Sequence, residues 1–458
     1  MAFPDNFVWG AAAASYQIEG AAFADEKGLS VWDVFSHTPG KTWNGDTGDV
    51  ACDHYNRYQE DVQVMKQIGL QAYRLSISWP RILPEGVGKV NEAGLGFYDK
   101  LVDELLEADI TPYVTLFHWD YPWELYCRGG WLNRDSADWF ADYTDIVVRA
   151  LGDRVKHWMT LNEPPVFVLV GHQAGRHAPG DQFSDRHIAR IIHHVLLTHG
   201  KSVQAIRAAS PQPAQISWAL NTDPSIPVVE DETHINAARE TYWGLSNGFW
   251  NAGLWLDPVL RGEYPQAALD RWGEYLPIRE GDLEEMNQPL DFVGLNIYRG
   301  HYVAVEEDGG SNIRSDGRPE LEGFEEGYPL TMMDWPVTPE ALYWGAKWVN
   351  ERYGLPIAIT ENGLASMDWV AVDGAVHDPN RIDFLKRYLR GFGKAGADGI
   401  PLHAYFQWSI FDNYEWAEGY RKRFGLVHVN YQTQERILKD SAHWYRQVIE
   451  SNGAILDE

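Results

Sequence analysis

Short apolar runs alternate along the chain with longer amphipathic stretches. The runs occupy residues 7–12, 72–78, 112–117, 157–161, 215–220, 291–298, 356–360 and 403–410. Several are apolar almost throughout, as parallel strands covered on both faces are. Between them the spacing predicts helices, among them residues 55–68, 92–108, 136–151, 186–209, 339–353 and 381–395. Strand alternating with helix predicts a parallel α/β protein, and eight such units predict a single closed (β/α)8 TIM barrel. The chain has 458 residues, well beyond the ~250 typical of that barrel. Its βα loops must therefore be elaborated, and the intervals 13–71, 221–290 and 299–355 hold the excess. Within the last interval, the acidic, Gly-rich residues 306–327 read as an exposed loop insertion. No repeat, Pro-rich linker or like-charge block marks a boundary, so residues 1–458 read as one barrel domain.

Charge narrows the partners. Asp and Glu outnumber Lys and Arg by 66 to 38, a net charge of −28 that repels phosphate backbones and anionic lipid. Nucleic acid and membrane are therefore not expected partners. No apolar stretch approaches the ~18 residues of a membrane span, and the first twenty residues lack a basic n-region before their apolar run. A cytoplasmic protein is expected, and the two cysteines, Cys52 and Cys127, fit a reducing compartment. Tryptophan, at 21 residues, exceeds phenylalanine at 17. Indole faces stack on the C–H faces of pyranose rings, so the surplus makes a sugar site worth seeking.

In such a barrel chemistry sits at the C-terminal ends of the strands. The fourth run ends Thr160-Leu161-Asn162-Glu163-Pro164-Pro165 and the seventh ends Ile359-Thr360-Glu361-Asn362-Gly363. Each places a glutamate where an apolar strand meets a turn, and a carboxylate there is costly unless paired or used. Strands four and seven lie across the barrel mouth. Two carboxyl groups facing one cleft suit glycoside hydrolysis, one protonated to serve the leaving oxygen and one ionised to attack or to activate water. A strand-end glutamate can also be a plain salt-bridge partner. Other run ends supply Gln17 and Glu19, Arg74, His118-Trp119-Asp120, Asn296-Ile297-Tyr298, and Trp408 followed by Asp412-Asn413-Tyr414-Glu415-Trp416. Amides, one His, one Arg and several Trp suit sugar hydroxyls over a stacking floor. Phosphate calls for more cations, and a metal calls for clustered His and carboxylate. No metal and no cofactor is expected.

At these residues the chain resembles glycoside hydrolase family 1, the β-glucosidase family. The resemblance runs from Phe3-Pro4-Asp5-Asn6-Phe7 to His443-Trp444-Tyr445, and the two glutamate motifs carry it jointly. It implies a retaining exo-β-glycosidase that hydrolyses terminal β-D-glucosyl residues from a β-glucoside or short β-linked oligosaccharide, with β-galactosidase or β-fucosidase side activity. Glu361 is implied as the nucleophile and Glu163 as the general acid and then base. Asn162 would hold the 2-hydroxyl, Arg74 and Tyr298 the nucleophile, and Asn296 the catalytic pair. Gln17, His118, Glu415 and Trp416 would bind outer hydroxyls of the sugar. Trp408, with a cis peptide after it, would be the stacking floor, Trp119 would lie beside it, and Trp335 would line the leaving-group side.

Retention implies carboxyl carbons about 5–5.5 Å apart. The resemblance disfavours a 6-phospho-β-glycosidase, which would have Ser at the position of Glu415, and a thioglucosidase, which would have Gln at Glu163. A non-catalytic sugar-binding barrel would have one of the two glutamates absent or swung away, and a metal-dependent barrel hydrolase would respond to chelator. The family more often has Leu before Pro122 and an acidic residue at Cys127, so Tyr121 and Cys127 are expected to bear on leaving-group preference. Trp9, Trp79, Trp158, Trp243 and Trp344 read as core or shell, His193-His194 as surface or core, and Gly171 with Gly175 as a loop or close-packing signal.

Overall fold

All eight apolar runs form strands in the computed structural model, which describes residues 3–305, 311–312 and 329–457. They are β1 (Val8–Ala12), β2 (Ala72–Ser76), β3 (Thr111–Phe117), β4 (His157–Asn162), β5 (Gln215–Asn221), β6 (Val293–Asn296), β7 (Ile357–Asn362) and β8 (Leu402–Trp408). Each pairs in parallel with the next, and β1 pairs with β8, which closes the barrel. Four strands are shorter than the pattern predicts, β1 only by Phe7. β2 stops at Ser76 because Ser78 precedes a helical turn, Trp79–Ile82. β6 covers only Val293–Asn296; before it the Asp291 N–H still reaches Ile216 O at 2.9 Å, while its side chain takes the Ile216 N–H and Arg207. β8 ends at Trp408, where the Trp408–Ser409 peptide is cis.

Helices α1 (His54–Ile68), α2 (Glu92–Glu107), α3 (Ser136–Leu151), α4 (Asp185–Ala209), α5 (Glu232–Trp243), α6 (Ala341–Tyr353), α7 (Pro379–Ala397) and α8 (Asp440–Glu450) surround the strands, with shorter turns between them. α3 illustrates the code. Phe140, Tyr143, Thr144, Val147, Val148 and Leu151 recur every three or four positions and are all buried. Burying Phe140 alone contributes roughly 2–3 kcal/mol. Elaboration falls where the long intervals predict it. The β5–β6 interval holds α5 and three further helices, and a small sheet joins Ser225–Pro227, His301–Val305 and Ser311–Asn312. The expected loop over 306–327 lies outside the described residues except for Ser311–Asn312, which pair with Ala304 and Val305. Among the described residues no helix is long and apolar enough to cross a membrane.

Much of the tryptophan surplus is core. Trp9, Trp79, Trp158, Trp218, Trp255 and Trp348 are fully buried, Trp344 nearly so and Trp243 half-buried. Several find acceptors for the indole N–H, such as Gly86 O for Trp79 at 3.0 Å and Ser225 O for Trp348 at 2.8 Å. His193 and His194 are core as well, bonded to Asp282 and to Trp131 O. Gly171 is a close-packing glycine, since a Cβ there would lie 2.4 Å from Ala178 O.

The barrel floor is aromatic. Tyr113 of β3 stacks on His157 of β4 at 4.0 Å, and its hydroxyl meets His403 Nε2 of β8 at 3.3 Å. Burial pushes His157 down to about 4, helped by His403, and pushes His403 down to about 4. These rings stay neutral in the fold, whereas in the unfolded chain they take a proton below about 6.5. Their stabilising contribution is therefore present above pH 6.5 and lost as pH falls from there toward 4. Replacing His403 with Gln should flatten the melting temperature between pH 7 and pH 4.5 relative to the parent. Calorimetry at matched ionic strength checks this, and superimposable profiles would count against it.

Candidate active site

At the C-terminal end of the barrel the sequence brings two buried glutamates to one place. Glu163 follows β4 with φ 49° and ψ 59°, a left-handed backbone uncommon for a residue with a side chain. Pro164 bars the right-handed helical alternative. The Glu163 N–H donates to Ala219 O of β5 at 2.7 Å, which holds the residue to the barrel wall. Glu361 lies within β7 beside a register shift against β6 and accepts the Ile297 N–H on its carbonyl at 3.0 Å. Gly363 completes this turn where no side chain fits, because a Cβ there would stand 1.8 Å from the Trp408 carbonyl. The nucleophile turn thus rests directly on the backbone of the expected sugar floor.

The two carboxyl groups have unequal partners. Arg74 of β2 donates to Glu361 Oε1 at 2.5 Å, and Tyr298 OH donates to Oε2 at 2.7 Å. Glu163 receives one neutral donor, Asn296 Nδ2, at 2.9 Å on Oε1. Burial pushes the Glu163 carboxyl well above its usual range, and the charge of Glu361 adds to the rise. Burial raises Glu361 too, against the opposing pull of Arg74 and then Tyr298. The pair titrates as a unit. With a cation on one member only, its shared proton resides on Glu163 and its negative charge on Glu361.

An amide network orients both. Asn162 Oδ1 accepts from Arg74 Nη2 at 2.6 Å and from Asn296 Nδ2 at 3.0 Å, which fixes its amide orientation. Its Nδ2 therefore donates to His118 Nε2 at 3.0 Å, leaving the ring proton on His118 Nδ1. Burial, with the Arg74 charge behind it, keeps that imidazole neutral. Thr360 Oγ1 donates to Asn296 Oδ1 at 2.6 Å, so a hydroxyl one residue before Glu361 sets the donor to Glu163. Thr360 is a site residue that the sequence reading passed over. The signal was a lone hydroxyl in the otherwise apolar run 356–360.

Aromatic rings and polar groups form the remaining wall. His118 lies nearly parallel to Trp408 at 5.7 Å and to Trp416 at 5.9 Å. Trp119 lies 4.5 Å from Trp416, and its indole N–H donates to Asn162 O at 3.0 Å. Gln17 Nε2 donates to Glu415 Oε2 at 3.2 Å and to Tyr414 O at 2.9 Å. Burial, then the Glu361 charge, pushes the Glu415 carboxyl up to about 8. Trp335 is half-buried, with its ring 5.3 Å from Tyr298. These contacts join the expected site residues except Gln17 and Glu415, which bond to each other and adjoin the network through Trp416, the chain neighbour of Glu415.

Three neighbours in sequence are not part of this site. Glu19, two residues after Gln17, is buried against Arg81 Nε at 2.9 Å and Tyr98 OH at 2.5 Å as a structural ion pair. Asp120 is buried against Ser15 Oγ, where burial pushes it up to about 7. Tyr121 turns into the core, its ring on Trp79 and Trp131 and its hydroxyl 3.0 Å from Ser136 Oγ. It therefore does not face a leaving group, contrary to the expectation from its position. Cys127 is an exposed free thiol at the end of a short helix.

Comparison with known proteins agrees with this geometry. The family model described as glycosyl hydrolase family 1 matches residues 1–454. The chain belongs to glycosyl hydrolase family 1. A 1,4-beta-D-glucan glucohydrolase of Thermotoga neapolitana is 50% identical over 454 residues, covering 98% of this chain and 99% of its own length. A bifunctional beta-D-glucosidase/beta-D-fucosidase of Bifidobacterium breve is 39% identical over 474 residues, covering 99% of each. The solved beta-glucosidase of Thermotoga maritima in complex with glucoimidazole superposes with a TM-score of 0.89 at 48% identity, covering 99% of both chains. Family 1 enzymes are retaining glycoside hydrolases, and this chain has both the barrel and the paired glutamates that such chemistry needs.

Proposed function

We propose that residues 1–458 form one catalytic barrel domain that works as a retaining exo-β-glucosidase. It would release terminal β-D-glucose from β-glucosides and short β-linked oligosaccharides, with fucoside and galactoside side activity. The observation that carries this reading is the unequal treatment of two coupled carboxyl groups. Glu361 has a cation and a phenol, and Glu163 has a neutral amide.

A Glu361 oxygen attacks the anomeric carbon while Glu163 gives its proton to the departing glycosidic oxygen. The C–O bond to the aglycone breaks and an ester to Glu361 forms. Esterification removes the charge that had raised Glu163, so Glu163 now takes a proton from water. The water oxygen attacks the anomeric carbon, the ester opens, and two inversions give net retention. Asn162, oriented by Arg74 and Asn296, would meet the 2-hydroxyl, where a hydrogen bond strengthens in the transition state. Gln17, His118, Glu415 and Trp416 would hold the other hydroxyls over Trp408, with Trp119 alongside. Trp335 would line the leaving-group side. A phosphorylated sugar is disfavoured, because Glu415 faces a wall that already contains the Glu361 charge.

The test is a 2-deoxy-2-fluoro-β-glucoside with an activated leaving group. It should inactivate the enzyme and add one fluoroglucosyl mass to the peptide containing Glu361. Proton NMR of glucoside hydrolysis should show β-glucose first. Label on another residue, or α-glucose first, would overturn the assignment. A cytoplasmic location belongs to the same proposal, supported by Cys52 and Cys127 being free thiols and checked by fractionation of the native cells.

A further inference from the structure

Six charged side chains meet between the segments that follow β7 and β8, apart from the reacting carboxyl groups. Lys439, at the start of α8, donates to Asp368 Oδ2 at 2.5 Å and to Asp412 Oδ1 at 2.7 Å. Arg381 of α7 donates to Asp368 Oδ2 at 2.7 Å, to Asp378, to Leu364 O at 3.2 Å and to Arg423 O at 3.0 Å. Arg423 in turn donates to Asp412 Oδ2 at 2.6 Å. Three cations thus balance three carboxylates, and Lys439, Arg381 and Asp412 have no exposed surface.

The ends of this cluster matter for the sugar pocket. Leu364 stands three residues after Glu361, and Asp412 stands three residues before Glu415. Lys439 touches both sides with one ammonium, through Asp368 on the β7 segment and Asp412 on the β8 segment, and Arg381 spans them as well, from Leu364 O to Arg423 O. Buried ion pairs add little net stability relative to well-packed apolar side chains. What a bridging ammonium adds is registry, because it draws two carboxylates to within hydrogen-bond distance of one nitrogen.

We propose that Lys439 is a positioning residue for sugar selectivity. By bridging Asp368 and Asp412 it fixes the Glu415–Trp416 wall relative to Glu361, and so sets the preference for a glucoside bearing O6 over one lacking it. This rests on Glu415 being a sugar contact, as proposed above, and on that contact being O6, the oxygen whose phosphate a 6-phospho-β-glycosidase meets with Ser at this position. Without the bridge the Asp412 end of the wall keeps Arg423 but loses its direct tie to Asp368, while the reacting carboxyl groups keep Arg74, Tyr298 and Asn296.

The experiment compares kcat/KM for p-nitrophenyl β-D-glucoside and its 6-deoxy analogue in the same preparation. The ratio is independent of the folded fraction. K439M should lower it about five-fold, the scale of one ordinary hydrogen bond. K439R, which keeps the charge and can bridge two carboxylates, should bring it back toward the parent. D412N, nearly isosteric, should lower it in the same direction and decides the matter alone if K439M does not fold. An unchanged ratio in the folded variants overturns the proposal, because a purely structural lysine would alter stability and not selectivity. E415A separates the two layers. If E415A leaves the ratio unchanged, the reading of Glu415 fails. If E415A lowers it while K439M and D412N do not, the positioning role fails.

Discussion

Replacing Glu361 with glycine should lower turnover of an aryl β-glucoside by at least about 10⁴-fold, and millimolar azide should restore part of it. The substitution removes the attacking oxygen and leaves a space beside Arg74 and Tyr298, two donors arranged for an anion. Azide can enter there and reach the anomeric carbon from the face Glu361 served. Glu163 remains to protonate the leaving group, so catalysis of departure survives. The product should be the α-glucosyl azide, identified by NMR. Near-parental activity without azide would remove Glu361 from the role of nucleophile.

Replacing Glu163 with alanine should give a different signature. Cellobiose hydrolysis should fall by about 10²–10⁴-fold or more, the range for loss of a general acid or base. A dinitrophenyl glucoside needs little protonic help to leave, so its kcat/KM should stay near the parental value. Its kcat should drop because water is no longer activated, and its KM should drop as the glycosyl-enzyme accumulates. Azide needs no general base and should accelerate this variant, now giving the β-glucosyl azide because it opens the ester from the opposite face. The two variants with one nucleophile should therefore yield opposite anomers. The same anomer from both would refute the division of labour. Equal losses for cellobiose and the dinitrophenyl glucoside would remove Glu163 as the acid.

The barrel was legible because its strands are buried on both faces and its helices have one apolar stripe. Those are patterns of burial, and burial is what hydrophobicity records. Strand ends were less legible. β2 and β8 stop early where the chain turns at Ser78 and after Trp408, and β6 is confined to Val293–Asn296, and none of these ends has a hydrophobic signature. The paired glutamates could be read because an acidic residue ending an apolar strand needs a reason to be there. Glu19 needed one as well, and its reason was Arg81, 62 residues away. Gln17 and Glu19 look alike in sequence, yet one turns toward Glu415 and the other toward Arg81. Tyr121 misled for the same cause, since a loop residue beside the site can point either way. The Lys439 cluster was invisible for a related reason. Its six members come from several distant segments, and no local pattern joins them.

The contact between residue 363 and the Trp408 carbonyl limits redesign. Any attempt to reshape the indole platform for another donor sugar would drag the nucleophile with it, since one backbone leans on the other. Libraries aimed at new donors are better spent at Gln17 and Glu415, whose side chains meet by a hydrogen bond, with the Gln17 bond to the Tyr414 carbonyl retained.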